Sequence, residues 1–148
     1  MIWPTHVLAS IVLYVLLFKL GLFDSSLFLV VLSFLAAILG ALLPDIDEKN
    51  SFLGKKSFII ARILGHRQIT HSVFILIFLL FSLLFISGGL RLLLLGFLVG
   101  YASHIFLDAL TVTGIPFLGT RIHGWIKTSS IGELMIFLVL LVILILLL

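Results

Sequence analysis

The chain has 148 residues, 63% of them hydrophobic, with a mean hydropathy of +1.45. A soluble domain of this size is nearer half apolar, so the composition points to an integral membrane protein built as one helical domain over residues 1–148. A net charge of +3 is too small and dispersed for a nucleic-acid partner, and the lack of cysteine excludes disulfides and thiolate ligands, so nitrogen and oxygen must hold any metal.

In chain order, five apolar segments stand out, at about 5–20, 27–43, 72–87, 90–110 and 131–148. The start, "MIWPTHVLAS", lacks the basic region of a signal peptide and is expected to remain as part of the first helix. "GLFDSS" is a short turn before the second segment. Pro44, in "PDIDEKNS", opens a long polar loop over 44–71. "SGG" at 87–89 makes a tight hairpin between the third and fourth segments. "TGIPFLGTRIHGWIKTSS" reads as a second long loop, punctuated by Gly and Pro, before the fifth. The pattern predicts an all-α, polytopic bundle of about five transmembrane helices, each needing roughly 20 apolar residues to cross.

Basic residues set the expected orientation. Lys49, Lys55, Lys56, Arg62 and Arg67 lie in the first long loop, and Arg121 and Lys127 in the second, whereas only Lys19 and Arg91 fall on the other side. Both long loops, and the N-terminus, are expected at the cytoplasmic face of the cell membrane. Trp3 and Trp125 suit interface anchors. Within the first loop, "FLGKKSFIIARILG" suits either an interfacial helix on an anionic leaflet or an ordinary topology-setting loop.

This topology gathers ionisable residues at one end. His6 starts the first segment, Asp45 and Asp47 follow the second, His66 and His71 precede the third, and His104 and Asp108 close the fourth. At 1.5 Å per residue, His104 and Asp108 lie about 20 and 26 Å along their helix, near one interface of a roughly 30 Å core. Their i, i+4 spacing puts both on one helical face. Alone, such a pair can be a hydrogen bond that locks packing. Facing three other helix ends that carry His and Asp, it reads as a functional site. Carboxylates are disfavoured at helix C-termini and protonated imidazoles at N-termini, so neutral histidines and ionised acids are poised for a divalent cation.

The expected ligands are His6, Asp45, His71, His104 and Asp108, with His66 a further candidate. One or two ions are expected, zinc first, with manganese or iron also compatible with nitrogen and oxygen donors. An ion there would acidify a water and polarise a phosphoryl or carbonyl oxygen. Asp47 is expected to orient that water and Arg67 to bind a phosphate through its planar fork. Glu133 is explained by the dipole at its helix start. No partner for His123 is legible.

Three blocks, "LLPDIDEKNSFLG", "HRQITHS" and "GYASHIFLDALTVTG", together with the early Thr5–His6, resemble the YdjM-type family of small inner-membrane proteins. That family is described as metal-dependent hydrolases, regulated in some bacteria by LexA. Two positions depart from its pattern: Glu48 stands where a histidine is usual, and Gln68 where a glycine is usual. A more distant resemblance is to the zinc-dependent phospholipase C and single-strand nuclease superfamily. It implies Asp45, His71, His104 and Asp108 on one metal, with Asp108 bridging to a second shared with His6. The further His and second His-x3-Asp/Glu of that superfamily are missing. The resemblance implies hydrolysis of a phosphoester in a membrane lipid or lipid-like substrate. The competing expectations are a metal transporter, disfavoured by the almost wholly apolar third and fifth segments, and a structural or regulatory membrane protein.

Overall fold

A computed structural model describes residues 1–47 and 71–148. His66, Arg67, Glu48 and the expected interfacial or lid segment at 50–65 lie outside the described residues, as does the side chain of Asp47. Within them are five α-helices: α1 (Trp3–Lys19), α2 (Leu27–Leu42), α3 (Val73–Ser82), α4 (Gly88–Ala109) and α5 (Ile131–Leu147). A 3-10 turn spans Leu43–Asp47. The protein is thus mostly helical, and each expected segment contains a helix.

The ends follow local chemistry. Pro4 sits in the first turn of α1, where its missing N–H costs nothing, and Lys19 lies in the last turn, on the favourable side of the dipole. Pro44 cannot extend the hydrogen-bond ladder of α2, and the chain tightens there. The Ser72 hydroxyl caps α3 by accepting from the Phe74 N–H at 3.2 Å.

Among the described residues, two stretches are long and apolar enough to cross a bilayer: Leu27–Ile46 and Gly88–Ala109. Helix α3 has 10 residues, about 15 Å, half a bilayer core. The third expected segment, at 72–87, therefore becomes a short helix followed by a turn.

Among the described residues, α2 and α4 are the most closely packed pair of helices. A Cβ placed on Gly96 would collide with the Ser33 carbonyl, and one on Gly100 with the Ala37 carbonyl. Small residues at such a seam let two backbones touch, which is how helices associate where lipid removes the hydrophobic drive. Helix α1 is tied to the same seam by hydroxyls: Ser10 donates to the Ala37 carbonyl at 3.0 Å, and Tyr14 meets Ser33 at 2.6 Å. Large apolar residues face outward on every helix, among them Phe18, Leu39, Phe78, Leu90 and Val142. A contiguous apolar exterior of this kind marks a membrane contact.

The expected loop after α4 carries a small antiparallel hairpin, β1 (Ile115–Phe117) and β2 (Thr120–Ile122). Leu118 and Gly119 both have positive φ, at 44° and 79°, as a two-residue type I′ turn requires. The hairpin is stitched to the end of α4 by bonds from Gly124 N–H to the Thr111 carbonyl and from Ile126 N–H to the Leu110 carbonyl.

Candidate metal centre

Four donors meet at one end of the bundle. Asp45 comes from the 3-10 turn, His71 from just before α3, and His104 and Asp108 from the last turns of α4. All four are buried, and one donor atom from each lies within 4.8 Å of the others.

The separations are informative. His71 Nε2 and His104 Nε2 are 3.4 Å apart. Each lies 3.6 Å from Asp45 Oδ1. Asp108 Oδ2 is 3.5 Å from the first and 3.6 Å from the second. Four ligands held tetrahedrally at about 2.0–2.1 Å from a zinc ion stand about 3.3 Å from one another. Five of the six edges of that tetrahedron are therefore close to size. The donor set fits a divalent metal.

The tautomer of His104 fits as well. The last carbonyls of a helix have no partner within it, and that of Ala41, near the end of α2, meets His104 Nδ1 at 2.7 Å. A carbonyl only accepts, so Nδ1 carries the proton and Nε2 keeps its lone pair toward the other donors. An outer hydrogen bond that orients a ligating imidazole in this way is the usual support of a metal site. The α2–α4 seam sets this contact, because it fixes the height of Ala41 against His104.

At His71 burial favours the neutral ring, but the facing carboxylates of Asp108 and Asp45 outweigh it and push the pKa up to about 9. Two acids around one imidazole call for a positive charge, either a proton or a metal.

Helix α1 brings the fifth expected residue to the edge of this group. The His6 ring stacks on His104 at 3.8 Å and 13°, and its Nε2 is 3.3 Å from Asp108 Oδ1. His6 thus faces the second oxygen of Asp108, not the four-donor group. Both its ring nitrogens are buried without a hydrogen-bond partner among the described residues, as is the Thr5 hydroxyl beside it. Asp108 Oδ1 also accepts from the Met1 amine at 2.6 Å.

Glu133 does more than its position at a helix start implied, and His123 stays apart as expected. Glu133 is 2% exposed. Its carboxylate accepts from Ile2 N–H and Ser129 N–H, each at 2.6 Å, so it ties the start of α1 to the start of α5. The dipole explains an acid at that position but says nothing of a partner 131 residues away. His123 is exposed, with its Nδ1 3.4 Å from the Gly124 carbonyl, and is no part of the cluster.

Comparison with known proteins agrees with the membrane character of the chain. It is 36% identical over 104 residues to the uncharacterized protein YvsG of Bacillus subtilis (strain 168), covering 64% of each chain. It is 44% identical over 94 residues to the inner membrane protein YdjM of Escherichia coli (strain K12), and equally to that of Shigella flexneri, covering 56% of this chain and 46% of theirs. The matched region thus spans between about half and two thirds of these relatives' length. No solved structure matches. The family model for the YdjM inner membrane protein matches residues 1–148, the whole of the chain, which therefore belongs to that family.

Proposed function

We propose that this chain is a metal-dependent hydrolase of the cytoplasmic membrane that cleaves a phosphoester in a membrane lipid or lipid-like substrate. The reading includes about five membrane segments, the N-terminus in the cytoplasm, and the site at the cytoplasmic face. It is supported by basic residues in the two long loops and by the gathering of His and Asp at that end.

The observation that carries it is a near-tetrahedral set of four buried donors with a fifth buried imidazole alongside, its Nε2 3.3 Å from the second oxygen of Asp108. A bound divalent ion, zinc first, supplies Lewis acidity toward a phosphoryl oxygen and toward water. Asp45, His71, His104 and Asp108 hold it. The Ala41 carbonyl keeps His104 in the ligating tautomer. Asp108 turns its other oxygen to His6, where it can orient that ring. His6 can take up or deliver a proton at Nε2, which lies 3.3 Å from Asp108 Oδ1. From sequence alone, Asp47 is assigned to position the water and Arg67 to hold the phosphate.

One observation favours a second reading. Four protein donors make a closed tetrahedron, the form of structural zinc sites, whereas catalytic sites keep a position for water. In that reading the ion only staples α2, α4 and the segment before α3. Metal analysis of the purified protein and of Asp108→Ala separates the cases, followed by a panel of lipid phosphoesters offered to the metal-loaded form. Stoichiometric metal, lost in the variant, together with cleavage, supports the hydrolase. Absence of stoichiometric metal from the wild type sinks both readings. Metal that raises the melting temperature while no phosphoester is cleaved leaves the structural one.

A further inference from the structure

Beside the metal centre, the starts of α1 and α5 enclose a groove of about 490 Å³, within the roughly 300–1,000 Å³ range of ligand clefts. Ile2, Ile131, Leu134 and Phe137 form its apolar wall, and Thr5 and Glu133 stand among the polar residues of its lining. Both oxygens of the Glu133 carboxylate already accept from backbone N–H groups. The Thr5 hydroxyl is fully buried and has no partner among the described residues. An unmet hydroxyl in an otherwise apolar groove is a demand for a ligand's polar atom.

The polar lining adjoins the metal centre. Thr5 precedes His6, which faces Asp108, and Ile2 follows Met1, whose amine reaches the same carboxylate. The apolar wall continues outward. Ile131 and Leu134 are exposed, and beyond them Leu138 and Val142 extend the outer face of α5, the surface that a protein of an inner-membrane family presents to lipid. On α5 the wall is Ile131, Leu134 and Phe137, without the small residues that let a partner helix approach closely. A wall of Ile, Leu and Phe suits a flexible hydrocarbon instead.

The geometry points to a berth for one acyl chain of a membrane phospholipid, with the polar end of that lipid at Thr5 and its phosphate toward the metal centre. This assignment deepens the hydrolase reading and rests on it for the direction of the headgroup. The groove itself is testable without turnover.

The full chain is placed in nanodiscs of phosphatidylethanolamine and phosphatidylglycerol carrying a trace of phosphatidylglycerol with a diazirine in one acyl chain. After irradiation, label is expected on Ile2–Thr5 and Ile131–Phe137, and excess unlabelled phosphatidylglycerol should compete it away. Leu134→Trp fills the groove and should lower that label about tenfold, a loss worth about 1.4 kcal/mol. Label at Phe78, on the lipid-facing side of α3, and the metal content should stay unchanged. If Leu134→Trp fails to fold, Ile131→Trp at the more exposed flank carries the same expectation. Even labelling of all apolar faces, without competition, would overturn the berth and leave only annular lipid. Cross-links joining two copies through α1 and α5 would overturn it in favour of a second chain. Specific label without cleavage of any phosphoester would support the berth while sinking the hydrolase; cleavage with an unlabelled groove would do the reverse.

Discussion

The two seams that converge on the metal centre are built on opposite principles. Between α2 and α4 the backbones touch, with Gly96 and Gly100 set against Ser33 and Ala37. Between α1 and α5 the contact is bridged by long side chains, with the Glu133 carboxylate spanning to Ile2 and a groove beside it. The tight seam carries His104 and Asp108 on one helix and leads into Asp45 on the other. The loose seam carries His6, Thr5 and Glu133. A closely packed half that positions the four donors, beside a half that leaves a groove, is a division that suits the proposed metal-dependent site.

The comparison breaks most directly at the tight seam. Gly100→Val puts a branched side chain into the Ala37 carbonyl, and neither backbone can retreat without parting the helices. It should cost about 3 kcal/mol or more, read as a lower melting temperature in detergent, and it should release metal because Ala41 and His104 separate. Asp108→Ala comes next. It removes one edge-setting oxygen from the four-donor set and the oxygen facing His6 together. Stoichiometric metal should fall to a trace while the helices survive, as circular dichroism would show. A variant that keeps its metal would move the centre away from α4.

At the loose seam the expected losses are smaller and different in kind. Glu133→Ala strands the N–H groups of Ile2 and Ser129, each worth about 1–3 kcal/mol if left dry, so stability should drop while bound metal persists. Loss of metal in this variant would mean that the start of α1 is as integral to the centre as α4.

The sign of the pH response separates proton from metal at His71. Its pKa in the metal-free fold, about 9, lies above the ordinary 6.5. Its contribution to metal-free stability is therefore fully present below 6.5 and is lost as pH rises through 9. Metal binding runs the other way, because the ligating ring must give up its proton. Affinity should rise by up to about tenfold per pH unit over that window. Parallel slopes in the two titrations would take His71 out of the ligand set.

Much of this site was legible from spacing alone. The i, i+4 step placed His104 and Asp108 on one face, and alternating helix directions sent Asp45, His71 and His6 to the same end. What topology does not resolve is which oxygen of Asp108 faces which imidazole: the resemblance set His6 apart from the other four, and the structure shows that it faces Oδ1 while His71 and His104 face Oδ2. The hydropathy and charge patterns did not single out Gly96 and Gly100, whose close approach to Ser33 and Ala37 on α2 emerges only from helix packing. The hairpin after α4 hides because Leu118 holds a positive φ that Asn, Asp or Gly normally takes. The end of α3 hides for a different reason: "FLLFSLLFIS" is apolar but for its two serines, so hydropathy does not show that the helix stops at Ser82.

The smallest effect has the opposite sign to the rest. Thr5→Val keeps shape and removes a buried hydroxyl that no described residue satisfies. A group that only costs desolvation should be missed by nothing in the fold, so the variant should gain up to about 1 kcal/mol of stability. A ligand that needs the hydroxyl should lose by the same change: the groove should keep its affinity for hydrocarbon but discriminate less between phospholipid and plain alkane. Stability gained together with discrimination lost would place Thr5 among residues kept for binding at the expense of the fold. Stability lost would instead show that the hydroxyl has a partner in the folded protein, and the loose seam would be tighter than its hydrogen bonds imply.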